Sequence, residues 1–568
     1  MDLQRSLLIG AIAVLSFMLL TKWVDFKEAK TSSPMQEQTR LSSADDLHDA
    51  LDLPANVAQD TADDLPSMAD TAPAAEVAEH ASVESAKSGR IVRVHTDVLQ
   101  MAIDLKGGDI IELALPKYPA QINEPDVPFV LLEDNSTRTY IAQSGLIGVN
   151  GIDKGERPTY ATSSSLYKMA DGQNELVVKL SWQDDTGIKV TKRFTLQRGD
   201  YLVHVDYLVE NGSDSRWQAN LFGQLKRDSS PAPSASSSGS MGLQPFLGAA
   251  LTQPDDHFTK FTFEQMAEDP FKASLPAGWI AMIQHYFLSA WIPDPAQNHN
   301  YSTRVTSSDF NIAGFTSPAL VVDPGQLGEV GARFYAGPKD QYRLQEISPY
   351  LELSVDYGWL WWIAQPLFWL LTKIHSLVAN WGVAIILLTV LIKAAFFKLS
   401  ATSYKSMANM RRVQPKMQDI REQYADDKQK QSQAMMELYR KEKINPMGGC
   451  LPILVQMPVF IALYWVLMES VELRQAPFIL WIKDLSVMDP YFVLPLLMGA
   501  SMFFMQMLNP PPPDPMQAKI MKWMPVVFTF FFLWFPAGLV LYWVVNNLLS
   551  MAQQYVITKQ IEAGATKS

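Results

Sequence analysis

Val383-Ala384-Ile385-Ile386-Leu387-Leu388-Thr389-Val390-Leu391-Ile392-Lys393-Ala394-Ala395-Phe396-Phe397 carries a single charge, on Lys393. A segment this apolar reads as the body of a transmembrane helix, running from about Asn380 to Phe397. An ionisable group inside such a span costs ~3 kcal/mol on insertion scales and usually faces a bundle interior or a wet cavity. Lys393 is therefore the leading candidate for a functional residue. It stands twelve residues beyond Trp381, which at ~1.5 Å per residue is ~18 Å into a hydrocarbon layer ~30 Å thick. Snorkelling to the cytoplasmic face is thus a competing reading. Thr389, one turn earlier, shares the helix face, and a polar stripe of two residues favours the wet cavity.

Four further apolar segments follow, at about 449–468, 491–508, 521–535 and 537–556, and one precedes, Ser6–Leu20 behind Arg5. Together they give six spans. Thr21-Lys22-Trp23-Val24-Asp25 offers no small-x-small cleavage pattern, so residues 1–24 read as an uncleaved anchor. Phe535-Pro536-Ala537-Gly538 allows a tight reversal between the last two spans. Gln456, Gln506, Asn546 and Asn547 are span residues able to bond between helices in lipid. Upstream, Tyr357–Trp369 holds four tryptophans, the composition of an interfacial segment, and Pro366 argues against a straight span there. Residues 350–378 are read as an interfacial helix.

Charge sets the orientation. From Lys398 to Lys443 eleven cations face six acids, so the positive-inside rule makes that loop cytoplasmic. Counting spans then puts both termini in the cytoplasm and residues 27–345 on the opposite side. Within the loop, 400–446, two helices are expected, Ala401–Tyr424 and Asp427–Glu442, with Ala425-Asp426-Asp427 supplying the turn and N-cap. This basic hairpin reads either as a solvated charged surface or as a dock for the ribosome or a targeting factor, since basic surfaces attract RNA.

The formal net charge of −12 says little about partners, because Asp25–Ser88 alone holds fourteen acids against four bases. Residues 25–90 are rich in Ala, Asp, Ser, Gln and Pro and read as a flexible acidic linker. A surface-bound irregular segment of the following domain is the alternative. Between 91 and 345, β-type runs alternate with turns: Ile91–Ile103, Val127–Leu132, Leu176–Trp182, Ile188–Leu196, Tyr201–Glu210, Trp279–Ile283 and Tyr286–Ile292. They predict a β-sandwich, with turns at Lys106-Gly107-Gly108-Asp109 and Asp171-Gly172 and a long surface loop at Ser229–Ser240. His204 and His285 read as strand-face and packing residues.

Cys450 is the single cysteine, which excludes intramolecular disulfides and cysteine-cluster metal sites. All eight histidines lie at or before His375, so the C-terminal third has no imidazole for a metal or acid–base site. Phosphate-loop, zinc-protease, nucleophile-elbow and dinucleotide motifs are missing from the sequence. No enzyme activity, cofactor or metal is expected, and the lack of a carboxylate ladder in the spans argues against a proton-driven pump. A transporter or channel remains the competing class, against which the absence of inverted repeats counts.

Asn445-Pro446-Met447-Gly448-Gly449-Cys450-Leu451-Pro452-Ile453-Leu454-Val455-Gln456-Met457-Pro458-Val459-Phe460, Val471–Phe478 and Phe535–Trp543 closely resemble the YidC/Oxa/Alb family of membrane protein insertases, as do Gly358–Trp361 and Asp514–Gln517. The anchor followed by a large exoplasmic domain matches the Gram-negative branch. The resemblance implies a membrane α-helical bundle of six transmembrane helices, with a five-helix insertase core over 379–557, joined to a periplasmic β-sandwich. It implies a hydrophilic groove, to which Lys393, Thr389 and Gln456 are assigned, with Lys393 at the position of a characteristic cation that is arginine in many relatives. It further implies a hydrophobic slide, mapping to Met457, Phe460, Val527, Phe531, Tyr542 and Trp543. The implied setting is the inner membrane, with lipids, nascent inner-membrane proteins and the Sec translocon as partners. The short tail, 558–568, is only weakly basic. A sugar-binding role for the β-domain is a third possibility, although no aromatic platform stands out.

Overall fold

Alternation builds the β-domain. In Ile188–Gln197 every second side chain is buried, so one face meets the core and the other meets solvent. In the computed structural model, which describes residues 64–66, 90–232, 245–425, 427–442, 451–508 and 515–565, this strand belongs to an eight-stranded sheet. Its order runs Thr259–Phe261, Gly248–Leu251, Ile280–Ile283, Phe287–Pro293, Leu327–Pro338, Leu202–Asn211, Ile188–Gln197, Glu175–Gln183. A ten-stranded sheet faces it, with Asn298–Val305, Asn311–Val322, Trp217–Arg227 and Thr139–Ile147 as successive neighbours near its middle. Side chains bridge the two layers: Tyr140 and Ser289 share a 2.5 Å hydrogen bond, Trp291 Nε1 donates to the Gln224 carbonyl, and Phe129 stacks on Phe287. The expected sandwich is present.

The run Ile91–Ile103 is two strands, Ile91–His95 and Gln100–Asp104, paired antiparallel, and not one. Thr96 makes the turn, its hydroxyl accepting from the Val98 and Leu99 amides. Gly107 and Gly108 lie at φ +80° and +65°, which explains the paired glycines of the predicted turn. Over them sits a buried ionic cluster in which Arg157 bridges Asp109 and Asp153. Lys192 Nζ donates to the Gly107 and Ser144 carbonyls, each at 3.1 Å. Burial pushes the Lys192 ammonium down to about 7, and Asp109 opposes the shift. Leu344, Ile347 and Leu351, from the helix Gln341–Ile347 and the turn after it, close one end of the domain core.

The helical unit runs from Val355 onward. The helix Trp361–Val378 carries Pro366 near its start and presents Trp361, Trp362 and Trp369 outward. It ends at Ala379 in the left-handed region, and Asn380 caps the next helix, Trp381–Ala395, by accepting from the Val383 amide. Trp381 stacks on His375 across this reversal. The helices Leu451–Glu469, Val493–Leu508, Pro515–Phe532 and Ala537–Ala565 complete the unit. Ala537–Ala565 packs on Trp381–Ala395, Phe397–Gln423 and Val493–Leu508, while Pro515–Phe532 packs on Val493–Leu508. Ala384, Ile385, Leu388, Leu463, Val466, Met498, Leu539 and Val540 form the shared core.

Among the described residues no single helix is long and apolar enough to cross a membrane, but Trp381–Ala395 and Phe397–Met407, bent by 67° at their junction, suffice together. The tight reversal expected at Phe535–Gly538 is there, held by Ala537 and Gly538 amides donating to the Val487 and Leu485 carbonyls. The hairpin forms from Phe397–Gln423 and Lys428–Lys441 around Val413, Met417 and Leu438, with Asp427 as the N-cap of its second helix. The anchor 1–24, most of the linker, most of the loop after Ser229, Cys450 and the end of the tail lie outside the described residues.

Candidate functional site

Lys393 is held by three helices. It is 4% exposed, and its ammonium donates to Ser550 Oγ at 2.7 Å and to Gln456 Oε1 at 3.5 Å. Ser550 in turn donates to the Asn546 carbonyl, so its hydroxyl oxygen is turned toward the cation. The helix Trp381–Ala395 brings the lysine, Leu451–Glu469 the glutamine and Ala537–Ala565 the serine. Both oxygens are neutral and no carboxylate is bonded to the ammonium among the described residues. The positive charge is therefore solvated by dipoles but not neutralised, which leaves it able to attract an anion.

Thr389 is buried on the same helix but donates to the Ile385 carbonyl one turn back. Its hydroxyl is thus satisfied within its own helix, and the polar stripe continues through Ser550 and Gln456 instead. Ser550 was not among the residues singled out from sequence, because a serine in an apolar span is common. One helical turn away, Asn547 Nδ2 donates to Ser501 Oγ at 3.0 Å and Gln554 Nε2 to the Leu508 carbonyl, both tying the last helix to Val493–Leu508. Asn547 therefore ties two helices together, the role that sequence suggests for a span amide.

The six apolar candidates divide into two groups. Phe460 stacks with Tyr542 at 6.3 Å and meets Trp543 edge-on at 4.9 Å, and Trp543 reaches Phe532. Tyr542 is 3% exposed, so this trio is core. Met457, Val527 and Phe531 are exposed, Val527 at 61%, so they face whatever solvent surrounds the helices. Phe531 also packs on Phe535.

On the hairpin, Lys405, Arg412, Lys416, Lys430, Arg440 and Lys441 are exposed, and Lys416 bonds Glu442 at 2.6 Å across its two helices. In the loop between Leu451–Glu469 and Val493–Leu508, Asp489 is 1% exposed and accepts from Trp481 Nε1 and from the Tyr491 and Leu494 amides. It locks that loop onto the helix that follows.

The β-domain has a cleft of about 300 Å³, lined by His204, Asp206, Asp294, His299 and Arg333 among others, with no Phe, Tyr or Trp. Burial lowers the His299 imidazole, which bonds the Asp294 carbonyl and Ser317. His204 is accordingly a strand-face residue at the rim of this cleft.

Two family models match consecutive parts of the chain: one described as the YidC periplasmic domain over residues 91–370, the other as 60Kd inner membrane protein over 373–564. A protein of Stutzerimonas stutzeri named "Membrane protein insertase YidC" is 54% identical, with the whole of both chains covered. One of the same name from Pseudomonas aeruginosa is 52% identical, again over the full length of both. A solved structure described as an active YidC insertase with its first transmembrane domain resolved has 18% identity and a TM-score of 0.37, covering 82% of this chain and 92% of that one.

Proposed function

The chain belongs to the YidC family of membrane protein insertases, and from that premise we propose how its Lys393 site takes part in insertion. Family membership gives a non-enzymatic insertase of the inner membrane, with a periplasmic β-sandwich and nascent inner-membrane proteins as substrates.

Beyond that, six spans place both termini and the basic hairpin in the cytoplasm. Lys393 and Gln456 line a hydrophilic groove open to cytoplasm and lipid, which receives the polar extracellular end of a substrate and lowers its desolvation cost, while Thr389 is spent on its own helix. Met457, Val527 and Phe531, the exposed members of the apolar set, guide the hydrophobic segment into lipid, with Phe460, Tyr542 and Trp543 as packed core. The hairpin's exposed cations receive the ribosome or a targeting factor, and the Sec translocon is a partner for part of the clients.

The observation that carries this reading is the Lys393 ammonium, buried among helices and faced by two neutral oxygens. A lysine acts there as a point charge that draws an acidic segment transiently, without the two-pronged grip of a guanidinium. The test is insertion of single-span substrates, with acidic or neutral leading segments, into vesicles holding the wild type or Lys393→Ala. The acidic substrate should slow by about tenfold, corresponding to ~1.4 kcal/mol, and the neutral one far less. Wild-type rates for both substrates would remove Lys393 from the mechanism.

A further inference from the structure

Asp64, in the acidic linker, is bonded to the β-domain. The Asp64 carbonyl accepts from Gln224 Nε2 at 2.6 Å and from an Arg304 guanidinium nitrogen at 2.9 Å, and its carboxylate bonds Lys226 Nζ at 2.6 Å. The receiving groups are already fixed. Gln224 is 1% exposed, with its side chain also bonded to Gln143 and Arg304. Lys226 rests 4.2 Å from the centre of the Phe310 ring. Two donors converging on one backbone oxygen, with a cation set beside them for an acidic side chain, make a recognition geometry and not an incidental surface contact.

We propose that Gln224, Lys226 and Arg304 form a docking site for an acidic Asp-Leu-Pro segment, which the chain fills with its own Asp64-Leu65-Pro66. Proline after the docked pair keeps the preceding residue extended, which suits a backbone that must present its carbonyl outward. The lysine selects the carboxylate, and the glutamine and arginine read main chain. Docking ties the N-terminal part of the chain to the β-domain at residue 64, ahead of the first strand at Ile91. The site acts as a strap. Asp52-Leu53-Pro54 repeats the tripeptide in the same linker, so the sequence offers a second segment of the same chemistry.

The experiment uses the full chain in detergent and an endoprotease that cuts before aspartate, following cleavage at Asp64 with Asp46 as internal reference. Lys226→Glu should speed the cut at Asp64 by about tenfold relative to Asp46, because protection tracks the docked population. Adding excess synthetic Thr-Ala-Asp-Asp-Leu-Pro-Ser-Met to the wild-type chain should do the same without any substitution. An unchanged ratio in Lys226→Glu with intact melting, or with the peptide on the wild type, overturns the proposal.

Discussion

Gly499 sits where Val493–Leu508 meets Pro515–Phe532, and a methyl group there would land on the Thr529 hydroxyl and 3.1 Å from the Thr529 Cβ. Thr529 cannot simply turn aside, because its hydroxyl donates to the Pro525 carbonyl at 2.7 Å. Gly499→Ala therefore forces either the two helices apart or the threonine out of its rotamer. Overpacking of this kind costs ~1–3 kcal/mol, against which alanine returns ~1 kcal/mol of helix propensity, for a net loss of ~0–2 kcal/mol. Thr529→Ala removes the obstacle, so in that background Gly499→Ala should be neutral or stabilising. The assay is a double-mutant cycle on thermal unfolding of the purified chain in detergent, with a coupling of ~1–3 kcal/mol expected. If Thr529→Ala leaves the effect of Gly499→Ala unchanged, so that the cycle shows no coupling, the close approach of these helices is wrong.

Lys192 makes the β-domain pH-dependent. Its folded-state value of about 7 lies below the ordinary 10.5, so between those values the unfolded chain binds more protons and stability rises with pH. The slope attributable to this one group is at most ~1.4 kcal/mol per pH unit. Melting of the wild type should rise from pH 7 to 9 and that of Lys192→Met should be flatter, whereas parallel profiles would rule the group out. Asp489→Ala strands the Trp481 indole and two amides, costing ~3 kcal/mol, while Asp489→Asn keeps one acceptor and costs less. Equal melting of the two variants would mean that the carboxylate does not hold the loop.

What could be read from the sequence follows from what periodicity can report. Ile188–Gln197 alternates cleanly and was legible, as were the Asp427 cap and the Phe535–Gly538 reversal. Thr139–Ile147 and Trp217–Arg227 were not, because they lie mid-sheet and are buried on nearly every side chain, which erases alternation. The twin strands of 91–104 merged into one because a threonine, and not glycine or proline, makes their turn. At the site, Lys393 announced itself by charge, and Gln456 came with it. Ser550 stayed hidden, since it stands 157 residues from Lys393 along the chain and only packing of the helices joins them.

The bend after Ala395 has a consequence for the lipids themselves. The straight part, Trp381–Ala395, is 15 residues long, so it rises ~22 Å, some 8 Å less than the hydrocarbon layer it would cross. Mismatch of this size is met by the bilayer, whose acyl chains compress around short helices at fractions of a kcal/mol per Å. Under the proposed placement of this segment in the membrane, the bilayer beside it is thinned to a degree set by acyl-chain length. That placement predicts insertion rates in vesicles that change with the length of the acyl chains.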